Sequence, residues 1–324
     1  MPIVFIHQGY SPYLEFTLRQ ARAAAPDADI VLLGDAANDR FPYVRHVDGA
    51  GPGYAAAAAE VAGGYRHLST NRAEFELGCF ERWFRLRALF EAEGWTDAVV
   101  LDSDVLLFSD EAAMRRTHLG GAALGLAHPH KQPPFGWTTS AHISYWTADR
   151  LADFCAFVLR SYTEPAVLAR YQEKWGHHVA TKAPGGVCDM TTLWLYAAES
   201  LGAEGPDDVV NLLEVRDGAT FDLNAALAEN AWPGEYATAD GLKAIRFVDG
   251  MPVVHSERTG ADVRFHALHL QGHAKARIPS LYRGPSFSGQ RSIARSMTGH
   301  YRLRGIASRW IQPVRRLAVR LRRG

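Results

Sequence analysis

The sequence predicts an α/β fold in which a mostly parallel central sheet is flanked by helices. Three observations carry that prediction. Buried-strand patterns alternate with helical ones along the first third of the chain. The apolar stretch "VVLDSDVLLF" (99–108) carries an acidic turn between two strand-like runs. The 324 residues, 47% hydrophobic and 22% charged, are enough to bury one large core or two modest ones.

The elements follow in order. "IVFIHQG" (3–9) reads as a buried strand, Pro12 to Ala24 as a helix with Leu14, Leu18 and Ala21 on one face, and "DIVLLGD" (29–35) as a second strand. A helix over Glu74 to Glu93 leads into the strand that ends at Leu101, and a short strand follows the acidic turn. Further strands are expected at 122–127, 142–146, 209–213, 244–248, 251–255 and 263–270, with helices near 149–161 and 189–200, so the second half is more mixed. "GAGPGYAAAAAEVAGG" (49–64) and "HPHKQPPFGW" (128–137) read as loops, and no internal repeat is visible.

Composition narrows the function classes. Cys79, Cys155 and Cys188 are odd in number and lack CxxC spacing, which supports neither a disulfide framework nor a zinc cage and favours a reducing, cytoplasmic setting. The N-terminus enters a strand without a secretory pattern, and no apolar run approaches the roughly 18 residues of a spanning helix. Formal net charge is zero, but fourteen basic and no acidic residues follow Asp262, so an acidic body carries a basic tail.

The acidic turn holds the first candidate site. In an open α/β sheet ligands gather beyond the carboxyl ends of the strands, and the strand ending at Leu101 aims Asp102 and Asp104 at that rim. Residues i and i+2 of an extended chain share a face, so both carboxylates can converge on one hard cation. The plain alternative is a pair of solvated turn aspartates, which the flanking apolar strand disfavours. Two chemistries use such a segment: phosphatases of the haloacid dehalogenase class and metal-dependent glycosyl transfer. The former places Thr or Val two residues after the second Asp, where Leu106 stands here.

"RFHALHLQGHAKAR" (264–277) supplies the partners. Its H-x-x-G-x-x-K spacing offers His269 as an imidazole ligand, Gly272 where backbone can approach a phosphate, and Lys275 as a cation for its charge. His266 and His273 compete with His269, but strand alternation puts His266 on the opposite face.

With these residues in view, "RLRALFEAEGWTDAVVLDSDVLLF" and "HLQGHAK" resemble the helix, strand and DxD and the closing H-x-x-G-x-x-K of the GT-A-fold glycosyltransferases, most closely family 8, the glycogenin and lipopolysaccharide galactosyltransferase type. The resemblance covers roughly residues 3–277. It implies a GT-A-like single domain using a nucleotide-sugar donor, by preference a UDP-sugar, with Mn²⁺ or Mg²⁺ held by Asp102, Asp104 and His269. It further implies donor contacts from Asp102, Arg85, Gly272 and Lys275, and from His7, Gln8 and Tyr10 after the first strand, with Tyr10 able to stack. Asp189 in "GGVCDMTTLW" is the one carboxylate left of the family's D-Q-D motif and is expected at the transferred sugar or the acceptor hydroxyl; helix capping is its plain alternative. The resemblance implies retention of anomeric configuration, whereas inversion would need one base, which Asp189 could be.

Departures are equally visible. Ala276 and Arg277 stand where the family has Pro-Trp, and "TSAHIS" (139–144), with Ser140 and His142, matches the F-N-x-G segment only loosely. The expected organisation is a transferase domain over 1–285 and a basic amphipathic helical tail over 286–324, with Ile306, Trp310, Val314, Leu317 and Leu321 in one stripe and arginines opposite. Such a helix suits an anionic membrane surface and would bring a cytoplasmic enzyme to a glycolipid or saccharide acceptor in surface polysaccharide synthesis. Nucleic acid is not an expected partner, because no aromatic platform accompanies the charge. A phosphohydrolase and a non-catalytic nucleotide-sugar-binding protein are the competing readings.

Overall fold

The computed structural model describes residues 1–200 and 208–301. The first half runs β1 (Ile3–Ile6), α1 (Leu14–Ala24), β2 (Ile30–Gly34), β3 (Arg45–Asp48), α2 (Pro52–Ala62), α3 (Ala73–Glu93), β4 (Asp97–Asp102) and β5 (Val105–Leu107). The next part holds α4 (Glu111–Met114), β6 (Leu124–Ala127), β7 (Ser140–Thr147), α5 (Ala148–Ser161), α6 (Pro165–Thr181), α7 (Asp189–Ser200) and β8 (Val209–Asn211). Short strands close the chain: β9 (Ala219–Thr220), β10 (Thr238–Ala239), β11 (Leu242–Lys243), β12 (Arg246–Val248), β13 (Met251–His255), β14 (Asp262–Phe265) and β15 (Ala267–His269), then α8 (Ile278–Leu281).

Seven strands form the central sheet in the order β3-β2-β1-β4-β7-β6-β8, with β7 antiparallel to both of its neighbours and the other pairings parallel. Alternation along the strands makes two cores. Ile3, Phe5, Ile30, Leu32, Val99 and Leu101 pack towards α1 and the C-terminal strands, whereas Val4, Val31, Leu33, Ala98 and Val100 pack against α2, α3, α5 and α7. Burying such a side chain contributes about 1.5–3 kcal/mol, so an unbroken apolar run is what a strand covered on both faces requires.

One expected loop is a helix. Residues 52–62 of the Gly- and Ala-rich segment form α2, with Pro52 in its first turn and Ala57, Ala58 and Val61 buried. Alanine has the highest helix propensity and Pro pre-sets the first turn, but an alanine run shows no polar-apolar period to read. The segment 128–137 is a loop as expected.

The decisive connection is made by β15. It pairs antiparallel with β5, with His269 opposite Val105 and Leu268 opposite Leu106, and the Leu270 N–H donates to the Asp104 carbonyl at 3.1 Å. The strand that carries the histidine is thereby fastened to the strand that leaves the acidic turn. After α8 the chain is helical over 290–301, where Met297 and Tyr301 are buried on the same core as α1. The rest of the expected tail, 302–324, including Trp310 and the stripe around it, lies outside the described residues. Among the described residues no helix is long and apolar enough to cross a membrane.

Candidate metal centre

Ile6 of β1 and Asp102 of β4 are register partners, so both strands deliver their last residues to one rim. Asp102, Asp104 and His269 each offer one ligand atom there, and those atoms lie within 4.8 Å of one another. Between the two acids, Ser103 is buried, its Oγ 2.9 Å from His7 Nδ1 and 3.2 Å from the Tyr13 hydroxyl. The Asp-Ser-Asp turn is thus anchored through its middle residue, which leaves both carboxylates turned to one side.

Each ligand candidate has a defined neighbourhood. The Lys275 ammonium donates to Asp104 Oδ2, and Asp104 Oδ1 lies 3.7 Å from His269 Nε2. His269 Nδ1 is 2.8 Å from the Leu223 carbonyl, which can only accept, so the proton sits on Nδ1 and Nε2 is the atom aimed at the acids. Burial pushes the Asp102 carboxyl above the usual range; Arg82 pulls it down and Asp104 pushes it further up. Crowded carboxylates facing an imidazole nitrogen make an oxygen-and-nitrogen donor set that a hard divalent cation fits.

Arg82, which the sequence analysis did not single out, links this centre to Asp189. Its Nη1 donates to Asp102 Oδ1 at 3.0 Å and its Nη2 to Asp189 Oδ2. Asp189 is the first residue of α7 and is buried; its Oδ1 accepts the Met190 N–H at 2.8 Å and its Oδ2 also accepts the Trp83 indole at 3.2 Å. One oxygen thus faces the neighbouring backbone N–H and the other faces Arg82 and Trp83. Just upstream, Gly186 has φ +141°, and a Cβ there would lie 2.3 Å from the Leu68 carbonyl, so only glycine lets the chain enter α7 at this angle.

Of the other expected residues, His7, Gln8 and Arg85 line a cavity of about 310 Å³ together with Gly34, Gly49 and Arg82, and Tyr10 and Gly272 lie outside its lining. Burial lowers the His7 imidazole pKa. Arg85 bonds the Gly49 carbonyl at 3.2 Å and pairs with Glu81 at 2.9 Å, one helical turn from Arg82. Tyr10 is 40% exposed; its ring lies 6.5 Å from Phe41, and the Arg40 guanidinium sits 4.3 Å above it. Gly272 begins a 3₁₀ turn (Gly272–Arg277) at φ +61°, a left-handed conformation that favours glycine, and the space where a Cβ would go is open.

Three histidines and a serine take other roles. His266 is held by Ser109 Oγ at 2.7 Å and Thr117 Oγ1 at 2.8 Å, away from the acids, as strand alternation requires. His273 is exposed. His142 is buried directly behind His269, the two rings stacked at 4.1 Å and 6°, and Ser140 Oγ is 2.6 Å from its Nδ1.

No protein-family model matches the chain, and no curated protein matches it either. Solved structures to which it is similar include glycosyltransferases. An active-site mutant of the galactosyltransferase LgtC aligns over 93% of this chain and 96% of its own, at 16% identity and TM-score 0.40. LgtC in complex with donor and acceptor sugar analogues covers 65% of this chain and 73% of its own, at 17% identity and TM-score 0.35. Mouse xyloside xylosyltransferase 1 covers 65% and 84%, at 10% identity and TM-score 0.41.

Proposed function

We propose that this protein transfers a sugar from a nucleotide-sugar donor, by preference a UDP-sugar, to a saccharide or lipid-linked acceptor with the help of Mn²⁺ or Mg²⁺. The observation that carries the reading is the convergence of Asp102, Asp104 and His269, with Lys275 beside them, from two motifs whose members lie up to 173 positions apart. When bound, a divalent cation supplies Lewis-acid neutralisation of the charge that develops on a leaving diphosphate.

The chain's own residues supply the rest. Lys275 is held on Asp104 and brings a second positive charge to the same rim, where it would meet the phosphates. Gly272 opens the 3₁₀ turn that carries Lys275 and lets backbone N–H groups come close to an anion. The cavity bordered by His7, Gln8 and Arg85 is contiguous with Arg82 and receives the nucleoside. Arg82, braced by Asp102 and Asp189, presents a fixed guanidinium to the transferred sugar, and Asp189 orients it there. The basic tail would bring the enzyme to an anionic membrane surface.

Titration calorimetry with UDP and Mn²⁺ tests the reading. Metal-dependent UDP binding that disappears in Asp104→Ala is the expected result. Phosphate release from a generic phosphate ester would instead identify a phosphohydrolase, and UDP binding with neither sugar transfer nor donor hydrolysis a binding protein.

A further inference from the structure

Behind the metal centre lies a buried ion pair with no direct access to it. Lys243 Nζ and Asp222 Oδ1 are 2.7 Å apart, and both side chains are 0% exposed. A buried pair is a weak source of net stability, because desolvation offsets most of the attraction. Asp222 bonds His269 directly, and the remaining bonds of Lys243 hold the loop beside it.

Asp222 Oδ2 accepts the His269 backbone N–H at 3.0 Å. Lys243 Nζ also donates to the carbonyls of Asn224 at 2.8 Å and Glu229 at 3.0 Å. The same ammonium therefore grips the chain on both sides of Leu223, whose carbonyl lies 2.8 Å from His269 Nδ1. On the ring's face, His142 is stacked at 4.1 Å, and its own Nε2 lies 2.7 Å from the Asp222 carbonyl. Backbone, ring nitrogen and ring face of His269 are all fixed from one cluster.

We propose that Asp222 and Lys243 are positioning residues of the metal centre: they aim the Leu223 carbonyl, which fixes the tautomer and orientation of His269 and leaves its Nε2 towards Asp104. The assignment rests on the divalent-metal reading above. Partners that orient a metal-ligating histidine typically change metal affinity ~10- to 100-fold when removed.

The test uses the full chain and Mn²⁺ alone, with free Mn²⁺ followed by electron paramagnetic resonance, on Asp222→Asn and on the paired variant Asp222→Asn/Lys243→Met. The paired variant removes both charges and so leaves no lone buried charge to prevent folding. Both variants should bind Mn²⁺ ~10- to 100-fold more weakly than the parent chain. Nitrogen-15 NMR of metal-free Asp222→Asn should show His269 in both tautomers, where the parent shows the Nδ1-protonated form. A merely structural pair would lower the urea midpoint and leave Mn²⁺ affinity and tautomer unchanged, and that result overturns the assignment. If the parent chain itself fails to bind Mn²⁺, the metal reading falls together with it; if the parent binds and the variants match it, the assignment alone falls.

Discussion

Replacing Arg82 by Met should destabilise the protein far more than a surface change, and the structure sets the size. Arg82 makes charge-assisted hydrogen bonds to Asp102 and to Asp189, each worth about 1.5–3 kcal/mol. The Asp102 side chain is 34% exposed and recovers water when the arginine is gone, so its share is discounted. The Asp189 side chain is only 4% exposed and cannot, which leaves a buried carboxylate held by Trp83 and Met190 alone. Breaking a buried pair costs about 3–5 kcal/mol, and about 3 is expected here after the discount. In Arg82→Met/Asp189→Asn the buried charge is also removed, and most of that loss should return. Urea unfolding of the single and double variants measures both values. A single variant within about 1 kcal/mol of the parent, or a double no more stable than the single, would refute the view of Arg82 as a buried bridge.

Gly272→Val should cost about 1–2 kcal/mol, because a β-branched residue resists the left-handed conformation, and should weaken binding of UDP with Mn²⁺; unchanged calorimetric affinity would remove the 3₁₀ turn from the donor site. Burial lowers His118 to about 4 and His266 to about 3 from 6.5. Both folded values lie below the unfolded one, so this stability is complete above about pH 6.5 and drains as pH falls towards 4 and then 3, by roughly 2 kcal/mol per histidine at pH 5. Urea midpoints between pH 7 and 5 should therefore fall, and His266→Gln should flatten the slope; a parent midpoint level across that range contradicts the assignment. A chain lacking residues 302–324 should no longer sediment with anionic vesicles, and equal pelleting of the shortened chain would end the membrane reading of the tail.

The cluster of Asp102, Asp104 and His269 is legible in the sequence because its chemistry is concentrated. Asp102 and Asp104 are separated by one residue at a strand end, and His269, Gly272 and Lys275 recur every third residue, so spacing marks each group separately. The bond between the groups is a β5 to β15 pairing, which only folding reveals. Arg82 sits three residues before Arg85 on the expected helix, and choosing between them required the helix's rotation relative to β4, which periodicity does not supply. Helix α2 was hidden by its alanines, and α6, which carries Lys174 onto the carbonyls of Gly136 and Trp137, by the lack of a motif. Asp222 and Lys243 lie among turns and two-residue strands, where no period marks a buried position.

The pairing of β5 with β15 also bears on how the molecule comes into being. Contacts between segments so distant along the chain form late, after the loop between them has closed. In a growing polypeptide Asp102 and Asp104 precede by more than 160 residues the histidine and lysine that complete their surroundings. The cluster of Asp102, Asp104 and His269 is therefore complete only once β15 has docked on β5.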